Sequence, residues 1–266
     1  MAEPECPITE LGPGRPAEAR TIRALLNREL GENLYSVESL LAAAADATAA
    51  VFSTTCDGRL AAAAVARILV PDDIAYYRPF GSLADELFNG HSVGSLEALA
   101  VRSEDRGRGL GAALVRHRIG WLAGQGCDRV VAISWLSGRG AASAPLFLRL
   151  GFSPGVVVSG FYLEESRRDG WSCPVCGNPC RCSAQLFWIA PEAMVHAALA
   201  AGARGRSARM PEMPPSSPSS PEADPEKRSD QAPGEEVVQV NDPYRGGGPP
   251  PEEQHGKEDE QHPTGG

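Results

Sequence analysis

The sequence of 266 residues predicts a single α/β domain over residues 5–190, followed by a chain of a different kind. Two observations point to that class. Apolar residues alternate between helical spacing and strand spacing along the first 190 positions, and 42% of the chain is hydrophobic, enough to bury a core. A third observation sets the boundary. Residues 207–266 hold 12 of the 23 prolines, with 13 acids against 5 bases, so nearly all of the formal charge of −9 lies there. Such a segment has too little apolar surface to offset chain entropy and reads as a disordered acidic Pro/Gly-rich tail. A short helical extension is expected over residues 191–206.

A short strand is expected near Ile8 to Leu11. In RPAEARTIRALLNREL, the residues Ile22, Leu25, Leu26 and Leu30 recur at helical spacing. Ser36 caps the next helix, SVESLLAAAADA, and the Asp57-Gly58 turn joins TAAVFSTTC to RLAAAAVARILV as a hairpin. Residues 71–91 read as irregular, with Tyr76, Tyr77 and Phe80. HSVGSLEALAV is a strand ending near Val101, and from Gly109 the residues Leu110, Leu114, Val115, Ile119 and Leu122 mark a helix closed by Gly124 or Gly126. DRVVAISW reads as a buried strand and GAASAPLFLRLGF as a helix. GVVVSGFYLEES and AQLFWIA are the last two strands.

Composition excludes several chemistries. Both lysines, Lys227 and Lys257, lie in the tail, so the body offers no Schiff-base or P-loop lysine. The body is close to electroneutral and makes no net-charge case for nucleic acid. No run approaches the roughly 20 apolar residues of a membrane span, and MAEPECPITE lacks the pattern of an export signal. A cytoplasmic protein without membrane attachment is the expectation.

Between the strand ending at Val101 and the helix opening at Gly109 lies Arg106-Gly107-Arg108-Gly109-Leu110-Gly111-Ala112. Small residues at a helix start let backbone N–H groups converge on a diphosphate, and two arginines add charge. A glycine-rich connection without a ligand is the plain alternative. Gly107, Gly109 and Ala112 also fit G-x-G-x-x-A. Against a dinucleotide turn, several polar residues separate the glycines from their strand, and Asp128 precedes the next strand instead of ending it.

The stretch LEALAVRSEDRGRGLGAALV resembles the strand, loop and helix of the GNAT superfamily of acetyl-CoA-dependent N-acetyltransferases. LFLRLGF is similar to a second signature near the end of those domains. The resemblance covers most of residues 5–190 and implies a mixed, mostly antiparallel central sheet flanked by helices. It further implies that the backbone of Leu99 and Val101 holds the pantetheine arm and acetyl group, and that the 106–112 loop holds the pyrophosphate. An amine would then attack the thioester directly, with Glu97 as general base. Glu97 lies on the strand of Leu99 and Val101, on one face with them by the period-two rule. A polar sheet residue with a structural partner is the other reading of Glu97. The sequence departs from the family at two places: Phe147 stands where a tyrosine is usual and Gly140 where asparagine is common. Tyr76, Tyr77 or Tyr162 are candidates for the missing acid, and Ser137 and Ser143 for further cofactor contacts.

Cys173, Cys176, Cys180 and Cys182 fall within ten residues as C-x2-C-x3-C-x-C, whereas Cys6, Cys56 and Cys127 are scattered. Four thiolates suit tetrahedral zinc in a structural knuckle over residues 172–183. Disulfides or a Cys173–Cys176 redox pair are the alternatives; the spacings do not match common iron–sulfur patterns. The acceptor stays open among a protein N-terminus, a lysine side chain and a small amine, and oligomeric state is not legible. The rival function is a non-catalytic acyl-CoA-binding or zinc-knuckle interaction module.

Overall fold

The computed structural model describes residues 6–137 and 143–190. The expected helical extension at 191–206, the tail and Gly140 lie outside the described residues. In chain order the elements are β1 (Ile8–Glu10), α1 (Pro16–Leu30), α2 (Val37–Ala45), β2 (Ala49–Cys56), β3 (Arg59–Ile68), α3 (Ile74–Tyr77), α4 (Ser82–Phe88), β4 (Val93–Val101), α5 (Leu110–Gly124), β5 (Arg129–Leu136), α6 (Ala144–Arg149), β6 (Ser153–Val158), α7 (Leu163–Asp169) and β7 (Ser183–Ile189). The strands form one sheet in the order β1-β2-β3-β4-β5-β7-β6. Every neighbouring pair is antiparallel except β4 with β5.

Local chemistry accounts for most of these elements. Pro16 opens α1, whose Ile22, Leu25 and Leu26 are buried. Ser36 and Ser39 cap α2 reciprocally, each backbone N–H donating to the other's hydroxyl at 2.9 and 3.0 Å. Asp57 and Gly58 both take positive φ, the twist a two-residue hairpin turn needs. Residues 71–88 are not irregular as expected but a run of short helical turns that includes α3 and α4. Their apolar residues Tyr77, Phe80, Ala84, Leu87 and Phe88 pack together with Val131 and Leu186 of the sheet. Helical signals also prevail where a long strand was expected. After β6 ends at Val158, Glu164 and Glu165 open α7, Arg167 and Arg168 fill its last turn, and Gly170 closes it in the left-handed conformation.

The sheet is packed on both faces, and in β3 Ala61, Ala62, Ala63, Ala64 and Ala66 have no exposure. Residues this small let helices settle close on each side. One face meets α5 through Leu114, Val115, Ile119 and Leu122; the other meets α1 and α2 through Ile22, Leu25, Leu26 and Leu40. Gly94 marks a close approach of α5, since a Cβ there would stand 2.5 Å from a methyl carbon of Leu122.

The β3–β4 ladder skips a residue. Val65 pairs with Ala98 and Ala66 with Leu96, which leaves Glu97 as the bulged residue. The fully buried Arg118 of α5 fills this irregularity, donating from Nη1 to the carbonyls of Val65 and Ala98, each at 2.8 Å. Burial pulls its guanidinium down to about 9, still charged at neutral pH.

The two edges of the sheet differ. At β1 a disulfide joins Cys6 to Cys56, a pairing across 50 residues that spacing had not indicated. At β6 the register slips between Pro154 and Val157, and Val156 and Val157 are about half exposed.

Arg118→Leu should destabilise the domain by about 3 kcal/mol, because two buried carbonyls lose their donor and a well-packed side chain is replaced. The midpoint of urea unfolding, compared with that of the parent, measures it.

Candidate functional site

β4 and β5 run together only from Val93 to Leu96, opposite Arg129 to Ala132. Beyond that point β4 continues to Val101 beside β3, while β5 continues to Leu136 beside β7. The two central strands therefore part, and the cleft between them is the natural place for an extended ligand to meet free backbone groups. Leu99 and Val101 lie on the open part of β4.

The glycine turn lies close by. Gly107 and Gly109 take φ of +80° and +83°, and Gly109 is the left-handed N-cap of α5, where no side chain caps the helix. Residues Leu110, Gly111 and Ala112 thus begin a helix whose first N–H groups are not used by a capping side chain. Gly111 sits against β4: a Cβ there would contact Val101 at 3.7 Å and Leu99 at 3.8 Å. The structure thus sets the start of α5 beside Leu99 and Val101.

Both arginines of the turn are already engaged. Arg106 bonds the Val101 carbonyl at 3.2 Å and pairs with Glu29 of α1. Arg108 pairs with the buried Asp105 at 2.6 Å, which also meets Arg59 at 3.0 Å, and its second nitrogen faces the Cys6 sulfur at 3.7 Å. Their charge shapes the loop first.

The bulge overturns one expectation about Glu97. Strict alternation placed it on one face with Leu99 and Val101. In the structure Leu96, Leu99 and Val101 pack toward α5, while Ala98 and Ala100 pack toward α1 and α2. The skipped residue resets the alternation, and Glu97 joins Arg67, whose Nε donates to its carboxylate at 2.9 Å. Arg67 reaches on to Asp46 at the end of α2.

Tyr76, Tyr77 and Tyr162 gather in the cluster that covers this second face, whereas Phe147 is buried on the α5 face against Phe152 and Phe187. None of the three tyrosines takes the place of a hydroxyl at position 147. The Tyr77 hydroxyl shares a hydrogen bond of 2.9 Å with Ser95, two residues before Glu97, and Tyr76 donates to Glu165 at 3.1 Å. Burial pushes all three phenols up, with the Glu165 charge adding to the effect at Tyr76 and Tyr162. Ser143 bonds Ser134 at 2.8 Å.

Glu165 is a second carboxylate that the sequence reading passed over, although the acid-first, arginine-last pattern from Leu163 to Gly170 was a helix signal. It is 9% exposed. Burial pushes its carboxyl up to about 7, with Asp169 assisting and the Tyr76 hydroxyl, Arg168 and Trp171 opposing.

The four clustered cysteines converge on one point. All four sulfurs lie within 4.8 Å of one another, with Cys173–Cys182 at 3.9 Å, Cys176–Cys180 at 3.7 Å and Cys176–Cys182 at 3.6 Å. Tetrahedral metal–thiolate bonds of about 2.3 Å set sulfurs about 3.8 Å apart, so this geometry fits a single ion. The N–H groups of Val175 and Arg181 each point to a sulfur at 3.4 Å. Burial pushes the Cys182 thiol up to about 11. It acts the same way on Cys176, but the Arg181 N–H and the neighbouring thiols outweigh it and bring that group down to about 7.

A carboxyl raised in the fold stabilises it most below about pH 4.5, and that contribution is lost as pH rises through about 7. Glu165→Gln should match the parent near pH 5 and become relatively more stable by about 2 kcal/mol at pH 8. Unfolding curves at the two pH values read the difference.

Residues 21–152 match the family model described as the acetyltransferase (GNAT) family. Among solved structures, an agmatine N-acetyltransferase aligns with a TM-score of 0.51 at 21% identity, covering 70% of this chain and 100% of that one. The Drosophila melanogaster polyamine N-acetyltransferase, described as forming N-acetylagmatine, aligns at 0.50 and 20%, with the same coverage. A NatC complex bound to Gag peptide and CoA aligns at 0.50 and 16%, over 70% of this chain and 98% of that one. These likenesses speak for the fold. No curated protein sequence matches the chain. Among the described residues no helix is long and apolar enough to cross a membrane. With the family match spanning the parted strands and the glycine turn, the chain belongs to the GNAT acetyltransferase family and is an acyltransferase.

Proposed function

We propose that the protein transfers the acetyl group of acetyl-CoA to a primary amine by direct attack in a ternary complex. The observation that carries this reading is the meeting of the parted β4 strand with the uncapped start of α5 at Gly109–Ala112. That arrangement suits a long ligand with a carbonyl at one end and a diphosphate further along. Backbone groups of Leu99 and Val101 would align the pantetheine arm and thioester. N–H groups of the 106–112 turn would receive the pyrophosphate, favoured by the positive end of the helix dipole. Arg106 and Arg108 would hold the turn in shape through Glu29 and Asp105.

The amine arrives from the opposite face of β4, where Glu97 is ion-paired with Arg67. Its nitrogen lone pair forms a bond to the thioester carbon while the carbonyl oxygen takes up negative charge against backbone donors. Collapse of that intermediate breaks the carbon–sulfur bond. The nitrogen proton passes to Glu97, directly or through water, and the CoA thiolate takes a proton from solvent. An ion-paired carboxylate carries the charge a proton acceptor needs. Small amines, protein N-termini and lysine side chains all meet these requirements.

In the same reading the four thiolates of Cys173, Cys176, Cys180 and Cys182 hold one structural zinc ion. The sulfur separations support a closed site, and among the described residues no His or carboxylate joins the four cysteines. The rival reading, a non-catalytic acyl-CoA-binding module, is favoured by one observation: residue 147 is a buried phenylalanine with no hydroxyl to offer.

Two experiments test these assignments. Gly109→Val puts a β-branched residue at φ +83°, beside the diphosphate path. It should weaken acetyl-CoA binding by more than roughly tenfold in calorimetry, with a much smaller loss of folding stability. Across a broad amine panel, the parent should release CoA with at least one amine. Glu97→Gln should then lower turnover by roughly tenfold or more while acetyl-CoA affinity stays within about threefold. Binding of acetyl-CoA with no turnover on any amine would favour the rival.

A further inference from the structure

The cysteine knuckle is the junction of three segments far apart in the sequence. Its first residue, Ser172, is tied to the α1–α2 turn by two reciprocal bonds, Ser172 N–H to the Glu32 carbonyl and Glu32 N–H to the Ser172 carbonyl, each 2.9 Å. Trp171 lies against that turn so closely that a Cβ on Gly31 would stand 3.2 Å from its ring. A second tie runs to α7. The Cys180 N–H donates to the Ser166 hydroxyl at 2.7 Å, and that hydroxyl donates to the Leu163 carbonyl at 3.1 Å. The Asn178 amide reaches the carbonyls of Ser166 at 2.6 Å and Trp171 at 2.8 Å. From α7, Glu165 continues the chain of contacts to Tyr76 in the third segment.

What holds this junction in place is small. Its core is Trp171 with Cys173, Cys180 and Cys182, flanked by Leu34, Trp135, Tyr162 and Val175. Three of its four buried members are cysteines, and a satellite core of this size has little burial of its own to offset ordering about a dozen residues. A metal ion bound by four thiolates would supply the missing stabilisation, because binding free energy at such a site is folding free energy. Residues 172–182 bond Glu32, Ser166 and Trp171, whereas the glycine turn bonds other groups: Glu29 in the last turn of α1, Asp105 and the Val101 carbonyl.

We propose that metal binding at Cys173, Cys176, Cys180 and Cys182 orders one side of the enzyme selectively. It clamps the α1–α2 turn and α7, with the Glu165–Tyr76 pair, onto the sheet face where Glu97 lies, and leaves the acetyl-CoA turn at α5 unaffected. The inference rests on the zinc assignment above and adds to it a division of labour: the metal governs the amine side, and the glycine turn governs the acyl-donor side.

Hydrogen–deuterium exchange on the full-length protein tests this in three forms: zinc-loaded, zinc-stripped by chelation under reducing conditions, and zinc-loaded Ser166→Ala. Zinc content is measured in each, and acetyl-CoA affinity is read by calorimetry. Stripping should speed exchange at residues 30–35 and 163–180 by roughly tenfold or more. Exchange at residues 106–115 should change by less than about twofold, and acetyl-CoA affinity by less than about threefold. Ser166→Ala, which keeps all four ligands, should retain zinc yet exchange faster at residues 163–170. Acceleration confined to 172–183, acceleration that spreads into 106–115, or a Ser166→Ala variant with parental protection of α7 would each overturn the inference while leaving the zinc assignment intact. A protein that takes up no zinc would overturn both.

Discussion

The guanidinium of Arg118 satisfies two carbonyls at the one place where the β3–β4 ladder loses its register. Without a buried donor there, a skipped residue in the middle of a covered sheet would strand backbone acceptors in an apolar interior. With it, the irregularity becomes a stable part of the core, and everything downstream on β4 is re-aimed. Leu99 and Val101 turn to the α5 face, and Glu97 is delivered to the other. The separation of β4 from β5 begins at the same level of the sheet, so a single cation buried in α5 underlies both the cleft and the orientation of the groups around it.

The two faces are accordingly unlike in chemistry. Toward α5 the sheet is lined mainly by aliphatic and phenylalanine side chains, and polarity there comes from the buried Arg118 and from backbone groups at the helix start. Toward α1, α3 and α7 it carries Ser95, Glu97, Arg67, Tyr77, Tyr76 and Glu165, joined pairwise by hydrogen bonds. A carrier molecule recognised by its repeating amide and phosphate groups suits the first surface. A reacting nitrogen that must lose a proton suits the second. The sheet keeps the two requirements apart until they meet where β4 opens.

Features set by neighbouring residues were legible in the sequence. The Ser36 cap, the Asp57-Gly58 turn, the glycine turn before α5 and the four-cysteine spacing each depend on a few adjacent positions, and each stands where it was expected. Features set by partners across the fold were not. The bulge at Glu97 arises from pairing with β3 and from a cation twenty residues away on another element, so strict alternation along β4 alone pointed to the wrong face. The Cys6–Cys56 pairing spans 50 residues and has no spacing signal. Residues 161–163 are all apolar or aromatic and extended the apparent strand, hiding the charge pattern that ends in Gly170 and makes α7 a helix.

Among the described residues the sheet ends at β1 and at β6, and each of these strands is poorly suited to adding a strand from a neighbouring molecule. β1 is only three residues long, and the chain just before it is fastened covalently to the end of β2, so it offers little ladder to extend. β6 exposes two valines that would otherwise invite such pairing. Pro154 lacks the N–H a new partner would need, and the slip between Pro154 and Val157 breaks the flat run of donors and acceptors. Among the described residues, an alanine-rich, tightly sandwiched sheet of seven strands therefore ends on both sides in strands poorly shaped to act as templates for another strand.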